Sequence, residues 1–236
     1  MVCKIVGDAA LGVPLAGRDD TLSKVVSIEK AIENIKDGST IMFGGFMANG
    51  TAESVVDALV AKGVQNLTII CNDSGYIDKG VGKLITNKQC KKIITSHIGL
   101  NKETGRQMNE GELEVVLVPQ GTLVEQIRSG GYGLGGVLTK TGLGTLVAEG
   151  KQTVDVDGET YLLEKPLRAD FAILRGSVVD KGGNIVYHGS TNNFNNVMAS
   201  AADTVIVEAE TLVEIGEIDQ NHVITSGIFV DYILQS

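Results

Sequence analysis

The sequence predicts an α/β fold: an open, mostly parallel sheet covered by helices on both faces. Three observations lead there. Short, unbroken apolar runs recur along the chain, as strands buried on both faces require. Segments with apolar residues at helical spacing separate those runs. One stretch, 151–164, instead alternates around Asp157-Gly158, which predicts an antiparallel hairpin standing apart from the main sheet.

Residues 1–22 have no period and carry Gly7, Gly12, Pro14 and Gly17, so they read as a loosely attached extension. Residues 23–236 then form a single domain, since no internal repeat or low-complexity linker divides them. Ile28, Ile32 and Ile35 mark a helix opening at Ser27 and ended by Gly38. A strand follows over Ser39 to Phe43, then a glycine turn. Thr51 is the expected cap of a helix over 52–62, with Glu53 in its first turn, Val55, Val56, Leu59 and Val60 on one face and Gly63 as its stop. Strands are expected at 67–73, 92–99 and 114–122, each leaving its apolar run for small or polar residues. Leu123 and Ile127 suit a helix capped by Thr122 and ended by Gly130. Beyond the hairpin come strands at 170–177, 183–190 and 203–210, a helix between 193 and 202, and a closing apolar segment over 222–234.

In a parallel sheet the strand C-termini share one edge, and ligands bind in the crevice there. The loops after strands ending near 43, 71, 95 and 118 therefore converge on one site. Composition narrows its chemistry. A net charge of −9 without a Lys/Arg cluster excludes a nucleic-acid footprint, so an anionic ligand must rely on helix N-termini, glycine-rich backbone and a few cations. No apolar run reaches membrane-spanning length, and Cys3, Cys71 and Cys90 form neither a disulfide framework nor a zinc pattern. A cytoplasmic protein is the expectation.

His97, His188 and His222 have no ligand-spaced partners, so no metal site is expected. The GxGxxG formed by Gly131, Gly133 and Gly136 follows a helix rather than a strand, which argues against dinucleotide binding. Gln120, at a strand C-terminus and followed by Gly121, either caps its turn or binds a carboxylate or oxyanion. Glu208 ends the run "TVIVE". It is the best in-chain candidate for a nucleophile or base, against the commoner reading of a solvated strand-end residue.

Five segments carry a resemblance: "DGSTIMFGGFMANGTAE" (37–53), "VLVPQGTLVEQIRSGGYGLGGVLTKTGLGT" (116–145), "EKPLRADFAILRG" (164–176), "NNFNNVMASAAD" (192–203) and "VITSGIFVDYI" (223–233). In this order they resemble the alpha subunit of family I CoA-transferases, within them the acetate or acetoacetate (butyrate) type. The resemblance runs from about Ser23 to Ile233. It implies exchange of CoA between a thioester and a free short-chain carboxylic acid through an enzyme glutamyl-CoA intermediate, with CoA and acyl-CoA as substrates and no permanently bound cofactor. It implies a beta subunit as partner, in a heterodimer or heterotetramer. The reacting glutamate would lie there in a Ser-Glu-Asn-Gly-like motif, which this chain lacks: Glu33-Asn34 lies mid-helix and does not match. No catalytic residue is then expected in this chain. By the same resemblance Gly44, Gly45, Phe46, Met47, Ala48, Asn49 and Gly50 form a CoA-binding loop, and Gln120 and Gly121 an acyl-pocket wall. Ala52, Lys140, Asn196 and Ser226 depart from it, standing where relatives commonly carry proline, which removes a fixed φ at each turn. The competing reading is a non-catalytic sensor or scaffold on a sugar-phosphate isomerase-like α/β fold.

Overall fold

The computed structural model describes residues 23–236, and the extension expected over 1–22 lies outside them. The main sheet contains β1 (Thr40–Phe43), β2 (Leu67–Asp73), β3 (Cys90–His97) and β4 (Glu114–Leu117). It is completed by β8 (Ala169–Asp180), β9 (Ile185–Val186), β10 (Ala202–Val213) and β11 (Tyr232–Gln235). Its order is β11-β10-β8-β1-β2-β3-β4, all parallel, with β9 antiparallel on β8. The chain winds outward from β1 to β4, then crosses back to lay β8, β10 and β11 on the other side of β1. The strand order reverses at β1, so the ligand crevice of this topology opens at the C-terminal end of β1.

The alternation of side chains along each strand divides the core in two. Ile41, Phe43, Ile69 and Cys71 face α1 (Ile28–Ala31), α2 (Glu53–Lys62) and α3 (Gly82–Thr86), packing with Val55, Leu59, Leu84 and Ile85. Met42 and Ile70 face α5 (Gln120–Gly131) and α6 (Asn195–Met198), packing with Leu123, Ile127 and Met198. Leu59 and Leu123 are both fully buried, so truncating either to alanine costs about 2–5 kcal/mol. Both faces are helix-covered, as the unbroken apolar runs require. A further helix, α4 (Lys102–Asn109), connects β3 to β4. The 151–164 hairpin turns at Asp157 (φ 50°) and Gly158 (φ 82°). Its strands β6 (Thr153–Val156) and β7 (Glu159–Glu164) join β5 (Val137–Thr139) in a separate three-stranded antiparallel sheet.

Several elements are shorter than expected, and each has a local cause. Helix α1 stops at Ala31 because the Lys62 ammonium captures the Ile32, Glu33 and Ile35 carbonyls. Of the strand expected over 183–190 only Ile185–Val186 forms, since the Asp180 carboxylate folds the Gly182 and Asn184 amides into a tight turn. The helix between 193 and 202 is reduced to Asn195–Met198. There the Asn193 and Asn195 side chains bind backbone of other segments, the competition that makes Asn a poor helix former. Gly131 ends α5 and Gly136 precedes β5, so the GxGxxG joins a helix to a strand and has no dinucleotide-binding context.

Candidate functional site

The glycine turn after β1 is a miniature hairpin in which Phe46 and Asn49 exchange both backbone hydrogen bonds. Its tip residues Met47 (φ 54°) and Ala48 (φ 59°) are left-handed, a shape usually supplied by Asn-Gly. For an L residue that shape costs roughly 1–2 kcal/mol. It persists because the surroundings determine it from several sides. The Met47 amide donates to Asp73 Oδ1 (3.1 Å), the Gly45 amide to Asn193 Oδ1 (3.1 Å), and Asn195 Nδ2 to the Gly50 carbonyl (2.9 Å). Two glycines are needed for space as well. A Cβ on Gly44 would lie 1.7 Å from Asn195 Oδ1, and one on Gly45, at φ +115°, 2.0 Å from Thr51 Oγ1.

Thr51 does not cap α2. Its hydroxyl donates back to the Gly44 carbonyl (3.2 Å), the N-cap position is Ala52, and Ala52 offers no side-chain acceptor. Ala52 has φ −77°, close to what proline would impose, so the turn keeps its shape without the ring. The cap is supplied by Glu208, 154 residues away, whose Oε2 accepts from the Ser54 amide (2.9 Å) and the Ser54 hydroxyl. Its Oε1 pairs with Arg175 Nη1 at 2.5 Å. Glu208 is therefore neither the solvated strand-end residue nor the free nucleophile expected: it lies within β10, is 1% exposed and has both oxygens engaged. The N-terminus of α2 thus already holds an anion, an in-chain one.

A second hairpin, after β2, stands beside the first. Tyr76 and Lys79 exchange backbone hydrogen bonds as Phe46 and Asn49 do. The pattern Gly-aromatic-x-x-x-Gly occurs at 45–50 and again at 75–80, a signal present in the sequence. The two loops trade carboxylates. Asp73, at the base of the second, holds Met47 of the first, while Glu53, at the exit of the first, accepts from the Gly80 amide (2.7 Å) and pairs with Lys83 (2.8 Å). Between them opens a cleft of about 900 Å3 lined by Met47, Ala48, Asn49, Tyr76, Asp78 and Lys79.

Gln120 lies across the sheet edge. Its Nε2 donates to Asn72 Oδ1 (2.9 Å), which also accepts from the Ser96 hydroxyl (2.9 Å), so the ends of β2 and β3 and the start of α5 share one polar network. Asn72 and Asp73 are consecutive and point to opposite faces: Asn72 holds Gln120, and Asp73 holds the first loop. The loop and Gln120 thus flank the same edge without bonding to each other. Helix α5 begins at Gln120 with Pro119 as N-cap, so Thr122 is inside the helix and not its cap. The Gln120, Gly121 and Thr122 amides find no acceptor among the described residues, and the buried Thr122 Oγ1 has no partner. Gly121, Thr122, Glu125, Val137, Leu138, Thr139 and Thr141 line a cavity of about 170 Å3 there.

Among the described residues no group of His, Cys, Asp and Glu is placed to hold a metal ion, and His97, His188 and His222 are all exposed. Cys71 and Cys90 are buried and unpaired, and burial pushes their thiols up, Cys90 to about 12, so neither is a nucleophile. Cys3 lies outside the described residues. No helix among the described residues is long and apolar enough to cross a membrane.

Residues 25–236 match the family model described as coenzyme A transferase. The chain is 52% identical over 214 residues to the alpha subunit of an acetate CoA-transferase from Escherichia coli K12, covering 91% of this chain and 97% of that one. It is 53% identical over 213 residues to the alpha subunit of an acetoacetyl-CoA:acetate/butyrate CoA transferase from Clostridium acetobutylicum, covering 90% and 98%. Among solved structures it resembles an acyl-CoA transferase from Escherichia coli O157:H7 in a thioester complex with CoA, with a TM-score of 0.80 and 21% identity. That match covers 91% of this chain and 47% of the other, so the chain spans about half that protein's length. Glutaconate coenzyme A-transferase from Acidaminococcus fermentans matches with a TM-score of 0.78 and 19% identity, covering 91% and 76%. At such identities the structures establish the shared fold.

Proposed function

The chain belongs to the coenzyme A transferase family, and from that premise we propose that it is the alpha subunit of a short-chain acyl-CoA:carboxylate CoA-transferase of the acetate, acetoacetate or butyrate type. It works with a beta subunit, in a heterodimer or heterotetramer, in the cytoplasm, with CoA and acyl-CoA as substrates. The observation that carries the division of labour is Glu208. Glu208, the best in-chain candidate for a nucleophile, is buried against Arg175 and Ser54, which supports a reacting glutamate supplied by the partner.

This chain's residues then bind and orient. Gly44, Gly45, Phe46, Met47, Ala48, Asn49 and Gly50 present a preshaped backbone surface to acyl-CoA, beside the large cleft. Gln120 and Gly121 line the acyl side. There the open amides of α5 suit a carboxylate or a developing oxyanion, and the 170 Å3 cavity suits a short acyl group. The partner's glutamate attacks the thioester carbonyl and forms an acyl-glutamyl anhydride with release of CoA. CoA attacks the anhydride to give the glutamyl thioester and free acid, and the second acid reverses the steps. Exchange among activated acyl species keeps the thioester's free energy without a nucleotide.

The test is co-expression with the beta subunit and an assay of CoA exchange between acetyl-CoA and acetoacetate or butyrate. Activity is expected from the complex and none from the chain alone. Full activity of this chain by itself, abolished by Glu208→Ala, would overturn the assignment.

A further inference from the structure

We infer that Asp73 is a positioning residue for acyl-CoA binding, its side chain fixing the strained tip of the 44–50 loop in the shape the thioester substrate meets. The inference rests on the proposed function for its ligand and on geometry for the rest. Met47 and Ala48 hold a backbone shape that L residues leave when free to do so. The Met47 amide, which points out of the turn, is bonded to Asp73 Oδ1 alone. Asp73 lies at the end of β2, a strand of fixed register between β1 and β3, so it is a rigid post.

The carboxylate suits this work only through one oxygen. Asp73 is 4% exposed, and its Oδ2 has no hydrogen-bond partner among the described residues. Burial accordingly pushes its carboxyl above the usual carboxylate range, against the Met47 and Gly75 amides that favour the ionised form and His97 on β3 that draws it down; Cys71 is the other titratable group facing it. The folded chain therefore holds the proton more tightly than the unfolded chain does. Stability from this group is present at low pH and lost as pH rises through the folded pKa. An asparagine there would keep the Oδ1 acceptor and lose the charge.

The experiment uses the complex with the beta subunit, with acetyl-CoA and acetoacetate as substrates. For Asp73→Ala the KM for acetyl-CoA is expected to rise about tenfold or more with kcat within about threefold, the signature of lost substrate binding rather than lost chemistry. Asp73→Asn should recover most of that loss, and its stability advantage over the native chain should shrink as pH falls. Hydrogen exchange of the 45–50 amides in the full chain, read without substrate, should quicken in Asp73→Ala and not in Asp73→Asn. Unchanged exchange in Asp73→Ala overturns the inference whatever the complex does, as does a parallel fall of kcat and kcat/KM. An active wild-type complex distinguishes those failures from a failure of the proposed function.

Discussion

The two hairpin loops at the sheet edge share a pattern and differ in where their unusual backbone sits. In the 75–80 loop the positive φ values fall on Gly75 and Gly80, and neither Ile77 nor Asp78 is left-handed. In the 45–50 loop Gly45 and Gly50 are positive as well, but so are Met47 and Ala48, which have side chains. The second loop is relaxed and charged, with Glu53 and Lys83 paired at its base and Thr86 donating to the Ile77 carbonyl. The first is strained, and its tip carries no charge. A shared pattern therefore sets the hairpin, while the tip residues decide whether it can form by itself or must be held. Strain that neighbours maintain is a mark of preorganisation for a ligand.

The largest expected effect concerns the exits from the loops. Helix α2, leaving the first loop, is capped by Glu208 from across the sheet, whereas α3, leaving the second, has no side-chain cap. Glu208→Ala leaves Arg175 without its partner and the α2 N-terminus without an acceptor, which should destabilise the chain by about 3 kcal/mol, the low end for a broken buried pair because Arg175 is partly exposed. Urea unfolding measures the loss, and amide exchange should rise first in α2 and not in α3. Equal loosening of both helices would erase the distinction.

Next come the leading glycines. A Cβ on Gly45 would meet Thr51 Oγ1 at 2.0 Å and displace the first loop, so Gly45→Val should lower kcat/KM for acyl-CoA about 100-fold, as misplacement of a binding element by an ångström does. Gly75→Val meets the Lys79 carbonyl at 2.7 Å and should lower it only about tenfold, since that loop flanks the cleft without shaping the strained surface. Steady-state kinetics of the complex decides, with circular dichroism to verify folding. Equal effects would make the loops equivalent walls, and unchanged affinity in Gly45→Val would remove the loop from the site.

What could be read from the sequence follows from the range of the interactions involved. The parallel sheet and its loaded edge were legible because unbroken apolar runs such as "LTIICND" report burial on both faces without reference to partners. The glycine turn was legible for the same local reason. The strand order was not, because nothing within β8 states that it pairs with β1. Nor was the cap of α2: Thr51 satisfies the local rule, and only the folded chain brings the Gly44 carbonyl to its hydroxyl and Glu208 to Ser54. Asp73 looked like the polar end of a strand, and its hold on Met47 exists only once the two loops stand side by side.

The smallest effect addresses the strain itself. Ala48→Gly removes a side chain from a left-handed residue, relieving roughly 1–2 kcal/mol against an entropic cost of roughly 0.5–1, so the fold should gain up to about 1.5 kcal/mol. Asp78→Gly, the matching change in the relaxed loop, has no strain to relieve and should lose about 0.5–1 kcal/mol. The activities should not follow the stabilities. A glycine at 48 makes the tip accessible to more shapes, so the KM for acyl-CoA should rise even as the unfolding midpoint climbs, whereas Asp78→Gly should leave KM nearly unchanged as its midpoint falls. Opposite signs in both readouts would tie the left-handed tip to substrate binding. Matching signs would mean that the two hairpins differ in appearance and not in role.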